Sequence, residues 1–566
     1  MAKKIQNILF AIIFCLPLFA KPAYNGVIKR AQADGSTIDV VLHGDEHFHY
    51  MTDTKGNWLK KENGMYVQTQ AMTAEELTTR RKAGKFDKAQ NVQASSGAYL
   101  APRGLVILAN FSDAQFKTEN NQAAFDSLLN VEGYTYHGQK GSVRDYFISQ
   151  SDSQYAPVFD VYGPVEVNHA IAYYGTNDSQ GYDTNAEQLI VDACQAAKAD
   201  YDINFADYDN DNDGFVDFVF VFYAGYGEAD GADESTIWQH MYKLYDYAGI
   251  NCKIDNKRVN LYACGSELSY YVDYYKLASN ARDGINTCCH EFSHVCGLPD
   301  LYDTQSGTKT LGQWDLMDSG TSNNYGWTPP YYSAYERFFC GWLTPTLINT
   351  ACDVNLPRLF LRNQAVIMTT TGEHNMNGYN PNPKTFYLLE NRQQQLNDKY
   401  LPGHGLLITK ITYNATNWSY NNVNSSSSQG VEIQVADGKK SKNGDSGDTY
   451  PGAQKVTSFS KITNYAITDI AESNFNITFS VNGGGDLIDL DIKTALNNTA
   501  ETTHSIVSTQ AGIEVRGCKE NELIEVFDLS GKLIHSTIAK DETTQLSLER
   551  NVYIVKIGSE SRVIMH

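Results

Sequence analysis

Hydrophobic and polar positions repeat with different periods along the chain, and each period predicts a different kind of element. Over residues 24–70 apolar and polar residues alternate (TIDVVLHGDEHFHYMTDTKGNWLKKENGMYVQT), as in short antiparallel strands, with turns at Gly44-Asp45 and Lys55-Gly56. Residues 74–90 form a basic, helix-favouring stretch containing Arg80-Arg81-Lys82, and small polar residues follow at 94–97, a composition suited to a protease-sensitive linker. Two continuous apolar runs, GLVILANF at 104–111 and FVFVFY at 218–223, predict strands buried on both faces. A helical pattern, AEQLIVDACQAAKAD at 186–200, accompanies them, so residues 103–350 predict an α/β domain. From 352 to 482 short β runs (385–389, 405–411, 475–481) are separated by loops rich in Asn, Ser and Gly, and Gly483-Gly484-Gly485 closes the series. A polar stretch at 497–504 reads as a linker. Beyond it ELIEVFDLSGKLIHSTI predicts a hairpin about Ser530-Gly531, and VYIVKIG another strand.

The N-terminus changes this picture, because MAKKIQNILFAIIFCLPLFA has a positive start at Lys3 and Lys4, an apolar centre at 8–14 and a cleavage-like Leu18-Phe19-Ala20. The expected organisation is a signal peptide at 1–23, a prodomain and activation linker at 24–101 and a catalytic domain at 102–350. A β-sandwich-type accessory domain at 351–485, a linker at 486–504 and a C-terminal β-domain at 505–566 follow. The apolar run is short for a bilayer span and no later segment is long and apolar enough to cross one, so the expected product is secreted or attached to the cell surface. A formal net charge of -21 argues against nucleic acid or anionic membrane as partner. Of 10 cysteines only Cys15 lies in the leader, and the others show no Cys-x-x-Cys metal pattern. Cys252 with Cys264 and Cys340 with Cys352 are the short-loop candidates for disulfides.

The chemistry concentrates in HEFSHVCGLPD at residues 290–300. His290 and His294, four residues apart, share one face of a helix, with Glu291 on the adjoining flank. A catalytic zinc needs a third protein ligand, an open position for water and a nearby base. Gly297 can end the helix in a left-handed conformation, which lets Asp300 return as third ligand, while Glu291 serves as the base. Cys289, Phe292 and Cys296 fall on another face and read as packing. The pattern is that of metzincins with Asp replacing the last His, and Met317 in GQWDLMDSG is placed for the methionine turn under the metal.

These residues resemble the secreted metalloproteases typified by immune inhibitor A. The carrying motifs are HEFSHVCGLPDLYD at 290–303, WDLM at 314–317, IWQH with Trp238 and His240, and YERFFCGW at 335–342. The resemblance covers roughly 103–343 and implies a metzincin-like α/β zinc protease domain, with zinc on His290, His294 and Asp300 and catalysis by Glu291. The last sixty residues resemble the immunoglobulin-like sorting domains of the type nine secretion route, through IEVFDLSGKLI at 524–534 and VYIVKIG. That resemblance implies secretion machinery as a partner.

A second cation site is suggested by DYDNDNDGFVD, where Asp209, Asp211, Asp213 and Asp217 with Gly214 match the first part of a calcium loop. Phe220 stands where an EF-hand would have Glu, so calcium is expected to brace the strand rather than take part in chemistry. No cysteine lies between 24 and 193, which excludes a prodomain thiolate as zinc cap and leaves an acidic or backbone plug, with Asp45 and Glu46 as candidates. Tyr325, Tyr331 and Tyr332 are candidates for oxyanion stabilisation. The expected protein is a monomeric secreted zinc endopeptidase made as a zymogen and acting on proteins or peptides; a non-catalytic surface adhesin is the alternative.

Overall fold

The two apolar runs form the middle of a six-stranded sheet, and its burial explains their composition. Its order is Phe19–Ala20, His240–Lys243, Leu261–Leu268, Val219–Tyr226, Arg103–Asn110, Val158–Glu166. The last four strands are parallel, His240–Lys243 is antiparallel to its neighbour, and Phe19–Ala20 adds antiparallel to that edge. Successive residues alternate between two cores. Val106, Leu108, Phe218, Phe220 and Phe222 face one, which includes Ile285, Cys289 and Phe292 of the helix Ile285–Val295. Leu105, Ile107, Val219 and Val221 face the other, filled by Leu189, Ile190, Ala193 and Ala197 of the helix Ala186–Tyr201. Both faces are covered, as continuous apolar strands require.

This computed structural model describes residues 19–491 apart from 25, 46–47, 74, 77–101, 179–180, 247, 305 and 425–428. It also describes 505–565 apart from 510–511, 520–521, 528–532, 549–551 and 558–559. The chain divides into two units, Met1–Asp491 and Ile492–His566. Most of the expected leader, the basic linker stretch and the polar linker from 492 therefore lie outside the described residues. No helix among the described residues is long and apolar enough to cross a membrane.

Residues 27–68 form a five-stranded antiparallel meander around Ile28, Val40, Leu59 and Tyr66. It clasps the turn at 228–234 of the first unit. Arg30 donates to the carbonyls of Gly231 and Ala232, both at 2.6 Å, and His49 stacks on Trp238 at 4.3 Å while its Nε2 meets Glu228 at 3.2 Å. Asp45 is turned to its own hairpin, where it accepts from the Phe48 N–H; Glu46 lies outside the described residues.

The segment expected as a separate accessory domain is a sandwich of two five-stranded sheets, with Val354, Met368, Leu389, Ile408, Ile467 and Phe479 between them. The far face of one sheet, with Phe386, Leu388, Leu407, Ile411 and Val431, joins the core that contains the helix Ile285–Val295. One core thus crosses the expected boundary at 350, because that sheet is apolar on both faces. Leu487–Asp489 pairs with Asp353–Asn355, so a strand stands where the 486–504 linker was expected to begin. The disulfide pairs suggested by loop length do not form: Cys252 and Cys264 lie in different sheets, and all nine described cysteines are thiols.

The second unit has a three-stranded and a four-stranded antiparallel sheet around Ile513, Val515, Ile524, Val526, Tyr553 and Val555. Its hairpin pairs Leu523–Phe527 with Leu533–Ile538.

Candidate metal centre

The helix Ile285–Val295 presents its polar residues inward, which only a built polar site can sustain, since a buried polar group without a partner is costly. His290, Glu291 and His294 are all fully buried. The helix ends where the sequence predicts: Gly297 has φ +85°, its N–H donates to His294 O at 2.9 Å, and the Leu298 N–H donates to Ser293 O at 3.2 Å. This Schellman arrangement reverses the chain and returns Asp300 to the histidine face.

Three atoms converge there. His290 Nε2 and His294 Nε2 are 3.3 Å apart, and Asp300 Oδ1 lies 3.2 Å from the first and 3.5 Å from the second. With zinc-to-ligand distances of about 2.0–2.1 Å, the edge of a regular tetrahedron is roughly 3.3 Å, so the three atoms outline one face of a zinc coordination shell. Each imidazole is oriented from behind, with His290 Nδ1 donating to Leu316 O at 2.9 Å and His294 Nδ1 to Leu298 O at 2.7 Å. A carbonyl only accepts, so each Nδ1 carries the proton and both Nε2 atoms face the common point as lone-pair donors.

What holds Asp300 has no signature in the neighbouring sequence. Asn421, which lies 121 residues on, accepts from the Asp300 N–H at 2.7 Å and donates to Asp300 Oδ2 at 2.6 Å, leaving Oδ1 to the histidines. Thr304 Oγ1 donates to Asn421 O at 2.5 Å, and Asn424 donates to Leu301 O at 2.7 Å. No local signal marks these residues within the run YNNVN.

The electrostatics fit a cation at the convergence. Burial alone would lower the pKa of His290, but the hydrogen bond to Asp300 and the charges of Glu291 and Asp300 raise it to about 9. His294 moves the other way, well below 6.5, through burial and repulsion by His290. The two imidazoles thus compete for a single positive charge, and a divalent ion between them meets the demand with both neutral. A carboxylate oxygen of Glu291 lies within 4.8 Å of a ring nitrogen of each histidine, a position for a base beside the metal.

The loop with Met317 lies against the helix through Leu316 O. Asp318 Oδ2 gathers the N–H groups of Thr310, Leu311 and Gly312 at 2.8, 2.8 and 3.1 Å, Met317 O accepts from Leu301 N at 2.7 Å, and the Met317 side chain is fully buried. Asn286 ties the helix to the following loop by donating to the carbonyls of Thr321 and Asn323. Of the three tyrosines, Tyr332 is buried against Ser293 and Trp342, and Tyr331 is buried against Phe360. Tyr325 is 42% exposed and holds a left-handed φ of +57°, a conformation uncommon for an aromatic residue.

At the acidic loop, Asp209, Asp211 and Asp217 bring ligand atoms within 4.8 Å of one another. Asp213 differs: its N–H donates to Asp209 Oδ1 and Asp211 Oδ1, both at 3.0 Å, and its own carboxylate accepts from Phe215 N. Lys257 Nζ already sits 2.5 Å from Asp209 Oδ2.

Residues 105–340 match the family model described as immune inhibitor A peptidase M6, catalytic domain. The pre-pro-metalloprotease PrtV of Vibrio cholerae is 32% identical over 242 residues, 38% of this chain and 25% of that protein. Immune inhibitor A of Bacillus thuringiensis subsp. alesti is 26% identical over 223 residues, 35% of this chain and 31% of that protein. The chain therefore spans between a quarter and a third of these relatives' length. The stretch that brings together His290, His294 and Asp300 is the stretch that is similar to the immune inhibitor A peptidase M6 catalytic domain.

Proposed function

We propose that the chain is a secreted, metzincin-like zinc endopeptidase, made latent and released by removal of its N-terminal part. The convergence of His290 Nε2, His294 Nε2 and Asp300 Oδ1 at 3.2 to 3.5 Å carries this reading, with the peptidase match as support. Zinc, when held by these atoms, supplies Lewis acidity and lowers the pKa of a water molecule in its open position. Glu291 accepts the proton of the attacking water on its carboxylate and delivers it to the leaving amine. Leu316 O and Leu298 O hold the imidazoles in the required tautomer, and Asn421 holds Asp300. The exposed Tyr325 phenol is the remaining donor for the developing oxyanion, and Met317 serves as the methionine turn.

The edge strand His240–Lys243 aligns an extended substrate by backbone pairing. In the unprocessed chain Phe19–Ala20, at the end of the expected leader, takes this edge, which supports its use by an extended peptide; latency is carried by the N-terminal part that follows the leader, and a cut within residues 80–97 releases it. The name of the Vibrio cholerae relative supports a precursor form as well. Substrates are proteins or peptides, the working form is a monomer, and the C-terminal sandwich serves export by a type nine-like route. Asp209, Asp211 and Asp217 take calcium as a brace on Val219–Tyr226.

Casein cleavage by the cut chain beside Glu291→Ala, with zinc measured in both, tests the reading. Zinc in both and cleavage by the parent alone is expected. Zinc in both and cleavage by neither, after complete removal of the N-terminal part, would overturn it in favour of a non-catalytic binding protein.

A further inference from the structure

The chain's own N-terminal segment shows which side chain the cleft beside the metal centre is built to receive. Phe19 pairs with Met241 and Ala20 with His240, as an extended peptide adds to a sheet edge. From the end of that strand Lys21 turns inward, and its side chain is 2% exposed. Its Nζ donates to Asp230 Oδ1 at 2.5 Å and to Thr287 Oγ1 at 3.0 Å; Thr287 in turn donates to Asp283 Oδ2 at 3.2 Å. Lys21 O accepts from Trp238 Nε1 at 3.3 Å.

Each wall of this pocket has its own support. Asp230 Oδ2 accepts from Gln239 Nε2 at 2.8 Å, and Gln239 Oε1 accepts from Ala229 N at 3.2 Å, which fixes the carboxylate from the edge-strand side. Asp283 Oδ1 accepts from Gly284 N at 2.9 Å at the start of the metal-binding helix. Thr287 stands four residues before Glu291, one turn earlier on the same helix face, so the pocket adjoins the point where a peptide bond would be cut. Burial lowers the pKa of Lys21, yet Asp230, Asp283 and Glu291 together hold it above 10.5.

The pocket and its occupant belong to different parts of the protein. Asp230, Asp283 and Thr287 lie in the region that matches the peptidase model, whereas Lys21 lies at the end of the expected leader, just after the cleavage-like Leu18-Phe19-Ala20. Removal of the segment leaves two buried carboxylates without their cation beside an edge that accepts extended peptides, and a buried carboxylate deprived of its partner is strongly disfavoured. We propose that Asp230, Asp283 and Thr287 form a specificity pocket for the basic side chain of an extended substrate, lysine before arginine, and that Lys21 fills it in the chain before its leader is removed. Lysine comes first because the pocket offers one carboxylate oxygen and one hydroxyl to a compact ammonium, not the paired acceptors that suit a guanidinium.

This rests on the endopeptidase reading, and the test separates the two. The full chain, activated by limited proteolysis, is given denatured casein, and the products that chelation suppresses and zinc restores are sequenced by mass spectrometry. Lysine, then arginine, should concentrate at one position flanking the cut. Asp230→Asn should lower the ratio of kcat/KM for a lysine peptide to that for its norleucine counterpart by about 100-fold. Zinc-dependent cleavage with no basic preference near the cut would overturn the pocket while leaving the endopeptidase intact, and it is read from the parent without any variant. A preference that survives both Asp230→Asn and Thr287→Val would overturn it too. If no zinc-dependent cleavage occurs at all, the endopeptidase reading falls and the pocket falls with it.

Discussion

The metal centre and the acidic loop are both clusters of charged residues, and they differ in what balances the charge. At the centre, Asp300 Oδ1 and two Nε2 atoms face one point, each fixed from behind by a carbonyl or by Asn421, in a fully buried setting. In the loop, Asp209 is met by Lys257, and Asp209 and Asp211 also accept from the N–H of Asp213. Burial would raise the pKa of Asp209, but Lys257 and the backbone donors lower it; Asp213 and Asp217 are raised by burial and by neighbouring carboxylates. One cluster is oriented so that it could receive a cation from outside, and the other largely neutralises itself. Carboxylate count does not distinguish them, whereas the orientation of lone pairs does.

Removing the centre should have the largest effect. His294→Ala should lose its zinc and lower proteolysis by about 1,000-fold or more, because metal activation of water and carbonyl is lost together. Glu291→Gln should keep the zinc and lower kcat by about 100- to 10,000-fold. Metal analysis beside single-turnover kinetics checks both, and zinc retained at full stoichiometry by His294→Ala would break the contrast.

The outer support gives the next test. Asn421→Leu removes the clamp on Asp300 and should weaken zinc binding about 10- to 100-fold, with a residual activity that excess zinc restores. Competition with a chromogenic chelator measures the affinity. If it were unchanged, preorganisation would not be what separates the two clusters.

Much of the centre was legible in the sequence because its geometry is local. Four-residue spacing puts His290 and His294 on one helix face, and Gly297 permits the left-handed turn that returns Asp300. The buried strands were legible for a similar reason, since GLVILANF and FVFVFY have no polar face to offer water. Asn421 was not, because its role depends on a loop 121 residues away in the chain folding against Asp300. Lys21 was hidden behind a leader-like pattern that says nothing of where its ammonium goes. The boundary at 350 misled because composition changes there while the core does not. Asp213 matched a calcium loop by spacing, but its backbone serves its neighbours.

A third buried carboxylate differs from both clusters, because its partner can lose its charge. Glu228 is buried against His49 of the N-terminal meander at 3.2 Å. Burial lowers the pKa of His49, but the charge and hydrogen bond of Glu228, with Asp45 nearby, raise it above 6.5. The folded value exceeds the unfolded one, so the pair's stabilisation is fully present below pH 6.5 and is lost as pH rises through the folded value. Melting of the uncut chain should therefore fall with rising pH in the parent and flatten in His49→Gln. Identical pH profiles for the two would remove His49 as the titrating partner.

The smallest effect is expected at the acidic loop. With Lys257 in place, a site with a Kd of about 1 mM stabilises the chain by about 1.4 kcal/mol in 10 mM calcium. Lys257→Met removes the resident cation from Asp209, so the variant should melt lower than the parent without calcium and gain more when calcium is added. Crowded carboxylates without an ammonium depend on the ion, whereas carboxylates already paired gain little from it. Calcium titrations followed by melting temperature read the difference directly. Equal gains in parent and variant would mean that Lys257 and calcium do not compete for Asp209, and the self-neutralised character assigned to this loop would then be wrong.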